Sequence, residues 1–217
     1  MKTDTIKNQL ELHGYFIIEN IASAVMLSDI YSELKAAFKS DKVITVNKDG
    51  INIFTLNGDD LLNESKLTAK LYQIVLDMLR ANFPSLVELE DKKIGVSANF
   101  MENDQQQFRF HFDRHQLTVV VYLNECLSLP LALYPLIRED PRTSENSKLK
   151  PIDNVEPVKI YPTLGKAAVF WGRRTLHGVL LDKKSNSKVL ERYSLQFGFD
   201  LSHFSYDNES YYGKTNA

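Results

Sequence analysis

Apolar positions along the first third of the chain follow two periods. IKNQLELHG carries the pattern of a short helix closed by Gly14, a residue suited to a left-handed cap. YFIIEN follows as a short strand. Ser23 is placed to cap a helix running to about Phe38, because Met26, Leu27, Ile30, Leu34 and Phe38 recur at helical steps. VITVNKDGINIFTL holds two β-rich runs around NKDG, a hairpin signal. Residues 64 to 81 return to the helical period through Leu67, Leu71, Ile74, Val75 and Met78, and Pro84 stops any continuation.

From about Ile94 the texture changes. Short β-branched and aromatic runs succeed one another: IGVSANF, FRFHF, LTVVVYL, PLALYPL, KAAVFW, TLHGVLL and RYSLQFGFD. Strands this short, with turn signals between them, predict an antiparallel sandwich or barrel. The longest break, residues 138 to 157, is polar and proline-bearing and reads as a long loop, a candidate lid, not a domain boundary. The expected layout is one domain over 1–217: helices and strands to residue 93, a β core over 94–201, and a tail over 202–217.

FRFHFDRHQ, residues 108 to 116, concentrates the chemistry. On a helix, His111 and His115 would share a face and could clamp zinc, but Phe112 stands where a catalytic Glu is needed and the flanks are strongly β-forming. On a strand, alternation sends Phe108, Phe110 and Phe112 outward, against helices, and Arg109, His111 and Asp113 to the other face. His115 then falls past the strand end as a solvated histidine or one that supports the ligands. His13 belongs to a helix end and His203 to the polar tail, which makes His177, on a predicted strand, the candidate for a third ligand. Two histidines and one carboxylate form the facial triad of non-haem iron(II) oxygenases, with coordination positions left open.

RYSLQFGFD adds a second feature. Arg192, Ser194, Gln196, Gly198 and Asp200 alternate with Tyr193, Leu195, Phe197 and Phe199. A buried Arg192 needs an anionic partner. That partner is either a bound carboxylate, gripped through the planar guanidinium fork, or Asp200 or Glu191 in a structural ion pair.

Composition narrows the partners. Net charge is −2, with 43% apolar and 25% charged residues, so there is no basic footprint for nucleic acid or anionic membrane. Cys126 is the single cysteine, so no intrachain disulfide is possible, which fits a reducing compartment. MKTDTIKNQLELHGYFIIEN lacks the design of a signal peptide, and no apolar run approaches membrane-spanning length. The expectation is a cytoplasmic protein acting on a small molecule, with no nucleic-acid or membrane partner. Nothing here sets the oligomeric state.

In ANF, HFD with LTVVVYLNE, LALYP, KAAVFWGRRTLHG and ERYSLQFGFD, in this order and spacing, the chain resembles the iron(II)/2-oxoglutarate-dependent dioxygenases. The resemblance covers about Ile94 to Leu201 and, more loosely, the entry HGYFIIENI. It implies a mostly β fold with flanking helices (α+β): a double-stranded β-helix, or jelly-roll, core packed on N-terminal helices. It assigns His111, Asp113 and His177 to Fe(II), and Arg192 with Ser194 to the far carboxylate of 2-oxoglutarate. It also sets Asn99 near that co-substrate. Tyr122 faces the same pocket or belongs to the core. Arg109, Arg173 and Arg174 are candidates for an anionic group of the substrate, against the plainer reading of solvated charges. The implied activity is O2-dependent hydroxylation of an unactivated C–H bond, of a free or carrier-bound amino acid for example, with release of succinate and CO2. The carboxylate at Asp113 favours hydroxylation over halogenation, where related enzymes carry a small residue. Two departures stand out: SLPLALYP lacks the paired glycines many members carry, and Val121 stands where prolyl hydroxylases often have Tyr.

Overall fold

The structure, a computed structural model, describes residues 4–48, 51–102, 107–138, 151–182 and 191–202. Helix α1 (Asp4–His13) ends at Gly14, whose φ of 78° is the left-handed cap its position predicts. Strand β1 (Tyr15–Ile18) and helix α2 (Ala24–Ala37) follow, the latter capped by the Ser23 hydroxyl accepting from the Met26 amide. Strands β2 (Ile44–Lys48) and β3 (Ile51–Asn57) pair antiparallel, Lys48 opposite Ile51. The intervening Asp49–Gly50 turn of the predicted hairpin lies outside the described residues. Next comes α3 (Gly58–Glu64), which the periodicity did not predict, and then α4 (Lys66–Arg80). Ser65 separates them and caps α4, so the helix expected over 64–81 begins at residue 66.

Three further short elements escaped the sequence pattern: β4 (Leu86–Glu88), α5 (Lys92–Gly95) and β9 (Val158–Ile160). The other strands are those expected: β5 (Val96–Met101), β6 (Gln107–His111), β7 (Leu117–Tyr122), β8 (Leu131–Tyr134), β10 (Ala167–Trp171), β11 (Leu176–Val179) and β12 (Arg192–Leu201). All described pairings are antiparallel, in the order β1-β10-β7-β12-β5-β3-β6-β11-β8-β9, with β2 on β3 and β4 on β12. The groups β10-β7-β12-β5 and β6-β11-β8-β9 are the two walls of a double-stranded β-helix, and β3 joins them by pairing with both β5 and β6. Of the loop expected over 138–157, residues 139–150 lie outside the described residues, as do His203 and the rest of the tail.

Alternation divides the first wall into an outer and an inner face. Outward, Leu117, Val119, Val121, Leu195, Phe197 and Phe199 join one core with Leu10 of α1, Leu27, Ile30 and Leu34 of α2, and Leu71, Val75 and Leu79 of α4. Trp171 packs at its edge and donates its indole N–H to the Leu10 carbonyl, tying α1 to β10. Inward, Val120, Tyr122, Ala168 and Phe170 meet Leu131, Leu133 and Ile160 of the second wall. This mostly β core on N-terminal helices is the fold the sequence predicted. Among the described residues no helix is long and apolar enough to cross a membrane.

Candidate metal centre

The two histidines of the site come from neighbouring strands of the second wall. His177 on β11 lies directly opposite His111 at the end of β6, with ring centroids 4.2 Å apart. Asp113 follows two residues after His111, past the strand end, where its amide donates to the Gly172 carbonyl at 2.9 Å. Nε2 of His111 is 3.3 Å from one carboxylate oxygen of Asp113, and Nε2 of His177 is 3.4 Å from the other. One ligand atom from each of the three residues lies within 4.8 Å of the other two. Donors about 2.1 Å from an ion and at right angles to each other stand on the order of 3 Å apart, so the spacing suits one metal ion.

Protonation follows from the hydrogen bonds. Nδ1 of His111 is 2.9 Å from the Arg109 carbonyl, and Nδ1 of His177 is 2.9 Å from the Thr175 carbonyl. A carbonyl oxygen only accepts, so each Nδ1 carries the proton and each Nε2 presents a lone pair to the shared centre. Burial, then the facing His177, pushes His111 below its ordinary range and keeps it neutral. Burial alone would raise Asp113. The surrounding side chains of His177, His115 and His111 outweigh it and hold the carboxyl well below its usual value. Two imidazoles with Nε2 turned to one centre and an ionised carboxylate are the donor set a divalent ion requires.

Arg192 enters the same cavity from β12. The cleft encloses about 370 Å3, counting its open mouth, and is lined on its polar side by Asn99, His111, His177, Arg192, Ser194 and Gln196. Arg192 is 3% exposed and donates to the Ser194 hydroxyl at 3.0 Å. No carboxylate pairs with it among the described residues. Asp200, one structural partner considered, accepts from the Gln116 amide at 2.8 Å, and Glu191, the other, pairs with Lys35 at 3.5 Å. Nε of Arg192 and the hydroxyl of Tyr122 are both buried without a hydrogen-bond partner among the described residues. The guanidinium stands 5.3 Å from the Tyr122 ring centre. Burial pushes the Tyr122 phenol up to about 12, against the pull of Arg192, so it stays a neutral donor. Unmet donors of this kind suit an anion with several acceptor oxygens.

Other sequence readings fared differently. Asn99 lies opposite Ser194 on the neighbouring strand and lines the cavity. Tyr122 faces inward, while Val121 faces the helices. The departure at Val121 therefore says nothing about the pocket. Strict alternation along residues 108–113 fails. His177 pairs with His111 but Val179 pairs with Phe108, a bulge that puts one extra residue on β6. Phe108 turns into the cavity and stacks on His111 at 4.7 Å, while Phe110 and Phe112 pack outward. They meet Ala132, Tyr134 and Leu176, not the helices as expected.

Arg109, expected to share the metal face, does not line the cavity for the same reason. Arg173 is neither solvated nor in the cavity; it is buried and donates to the Arg114 carbonyl at 2.7 Å. Arg174 donates to the Arg138 carbonyl at 3.2 Å. The solvated reading of His115 also fails, since the ring is 2% exposed and lies behind Asp113.

A double-stranded β-helix with two histidines and a carboxylate at one mouth is the architecture this chain presents. No family model and no curated protein matches the sequence. Solved structures do match in fold. The non-heme alpha ketoglutarate dependent epimerase SnoN of nogalamycin biosynthesis, in complex with Fe3+, alpha ketoglutarate and nogalamycin RO, superposes with a TM-score of 0.72 at 13% identity, over 91% of this chain and 83% of that one. A Pseudomonas putida prolyl-4-hydroxylase gives 0.63 at 18% identity, over 92% and 98%. HygX from Streptomyces hygroscopicus, with nickel and 2-oxoglutarate bound, gives 0.63 at 14% identity, over 92% and 87%.

Proposed function

We propose that the protein is an iron(II)- and 2-oxoglutarate-dependent oxygenase that hydroxylates an unactivated C–H bond of a small molecule, such as a free or carrier-bound amino acid. One observation carries this reading: the buried guanidinium of Arg192 has no carboxylate partner among the described residues and shares a cavity with His111 and His177, which cluster with Asp113. Those three side chains would hold Fe(II). Arg192, with Ser194 beside it, would hold the distal carboxylate of 2-oxoglutarate, and the Tyr122 hydroxyl is a further donor near it. When bound, the metal with the keto acid and O2 supplies the oxidising power, and succinate and CO2 leave as co-products. The protein fixes the donors, keeps the His111 imidazole neutral and walls the cavity with Phe108, Val120, Leu131 and Val179.

A second reading, hydroxylation of a prolyl or other residue within a protein, is supported by the fold likeness to prolyl hydroxylases and by the inward-facing Tyr122. A non-catalytic binder of a small acid or metal is the alternative outside enzymology.

Oxygen-dependent succinate formation from 2-oxoglutarate and Fe(II), screened over free amino acids, carrier-bound amino acids and prolyl peptides, tests these readings. Stimulation by one class identifies it. Arg192→Ala is expected to abolish 2-oxoglutarate binding and leave metal binding intact. Absence of any 2-oxoglutarate binding by the metal-loaded protein would overturn the proposal.

A further inference from the structure

His115 and Thr118 form a polar pair on the side of Asp113 away from the cavity. Neither lines the cavity, and both are buried, at 2% and 0% exposure. Thr118 Oγ1 donates to Asp113 Oδ2, and His115 Nε2 lies 2.9 Å from Thr118 Oγ1 and 3.4 Å from Asp113 Oδ2. The carboxylate only accepts, and the threonine has one proton to give. His115 must therefore donate from Nε2 to Thr118. That leaves the lone pair on His115 Nδ1, the buried atom with no partner among the described residues. His115 thus has the opposite tautomer to His111 and His177, and its Nε2 is committed away from the metal centre.

Two glycines make room for this pair. A Cβ on Gly198 would sit 2.4–2.5 Å from three ring atoms of His115. A Cβ on Gly172 would sit 2.4 Å from Thr118 Oγ1 and 2.9 Å from Asp113 Cβ. Thr118 is itself held in β7 with a branched, stiff side chain.

We infer that His115 and Thr118 are positioning residues for the metal centre: the directed chain His115 Nε2–H to Thr118 Oγ1–H to Asp113 Oδ2 fixes the rotation of the Asp113 carboxylate, so that the ion meets one defined oxygen arrangement. A carboxylate free to turn could chelate the ion through both oxygens and occupy a position that a co-substrate needs. The inference rests on the reading of His111, Asp113 and His177 as a metal site, and its test separates the two.

The test is anaerobic Co(II) titration of the full chain, with affinity from chelator competition and coordination geometry from the cobalt d–d absorption. Thr118→Val, which removes only the hydroxyl link, is expected to weaken Co(II) about 10- to 100-fold and to change the absorption. Thr118→Ser is expected to restore both. His115→Gln, whose amide nitrogen reaches the place of Nε2, is expected to stay near wild type, while His115→Leu falls with Thr118→Val. The His115 variants decide the matter if Thr118→Val does not fold. Wild-type affinity and spectrum in Thr118→Val or His115→Leu would overturn the positioning role alone. Wild-type protein that binds no Co(II) would instead overturn the metal site, and the inference with it.

Discussion

His111 and His177 are direct partners in the antiparallel pairing of β6 and β11, although four strands separate them in the chain. Each uses the carbonyl two residues before it to hold its own ring. The metal-facing geometry is therefore written into the sheet register. Changes that move β6 against β11 are expected to reach the metal without touching a ligand.

Gly178, next to His177, is the sharpest test of that coupling. A Cβ there would meet the Phe108 carbonyl oxygen at 2.8 Å and Arg109 backbone atoms at 3.1 Å, at the bulge of β6. Backbone cannot swing aside as a side chain can, so Gly178→Ala is expected to push β6 outward and destabilise the fold by about 1–3 kcal/mol. It should also separate His111 from His177 and weaken metal binding. Thermal melting with a metal titration checks this, and an unchanged metal affinity would count against register control.

Gly172 acts on the carboxylate instead of the imidazoles. Its carbonyl accepts from the Asp113 amide, and its amide donates to the Gln116 carbonyl at 2.7 Å. With Thr118 Oγ1 in the space a methyl would need, Gly172→Ala is expected to lower metal affinity on the order of 10-fold or more. The β6–β11 pairing should survive, so a helix and strand content equal to wild type by circular dichroism is part of the expected outcome.

How much of this was legible beforehand depends on the range of the signal. The inner row Arg192, Ser194, Gln196 could be read because β12 is long and regular, and a period of two survives over its ten residues. The spacing of His111 and Asp113 with a distant His177 could be read because few histidines competed. The direction of Phe108 and Arg109 could not, because a bulge is a property of two paired strands and only Gly178, on the partner, hints at it. The choice between a solvated His115 and one that supports the ligands could not be read for a similar reason: its burial depends on Gly198, remote in sequence. Arg173 was misjudged because a short turn with two arginines has the composition of an exposed loop, yet the Arg114 carbonyl takes one of them inside.

Arg192 should cost the ligand-free protein stability. Burying a charge without a counter-ion carries a penalty of several kcal/mol, and the Ser194 hydroxyl and the Tyr122 ring offset only part of it. Arg192→Met is expected to raise the stability of the protein without co-substrate by roughly 1–3 kcal/mol, while 2-oxoglutarate no longer adds any further stabilisation. Melting curves with and without 2-oxoglutarate measure both. A variant that melts well below wild type would mean that the arginine is already neutralised by its surroundings.

Glu88 sets an acid limit remote from the site. Its carboxylate accepts from Tyr72 at 3.0 Å and from Lys92 at 3.0 Å, with Arg80 at 3.4 Å, so it links β4 to α4 and α5. Partial burial opposes its ionisation, but the hydrogen bonds from Lys92 and Tyr72 outweigh it and lower the Glu88 pKa from its ordinary value. A depressed folded pKa means that the ionised form favours the fold. The contribution is complete above the unfolded value and is lost as pH falls through the folded one. Tyr72 shifts the other way: burial, then Glu88, raises its phenol, so its contribution is complete below the ordinary tyrosine range and is lost only in strong alkali. The acid limb therefore reports Glu88 and not Tyr72. In melting temperatures taken across pH, Glu88→Gln is expected to lie below wild type at neutrality. The gap should close once the solution is acidic enough to protonate Glu88 in both states. A gap that stays constant into acid would assign the loss to packing instead of charge.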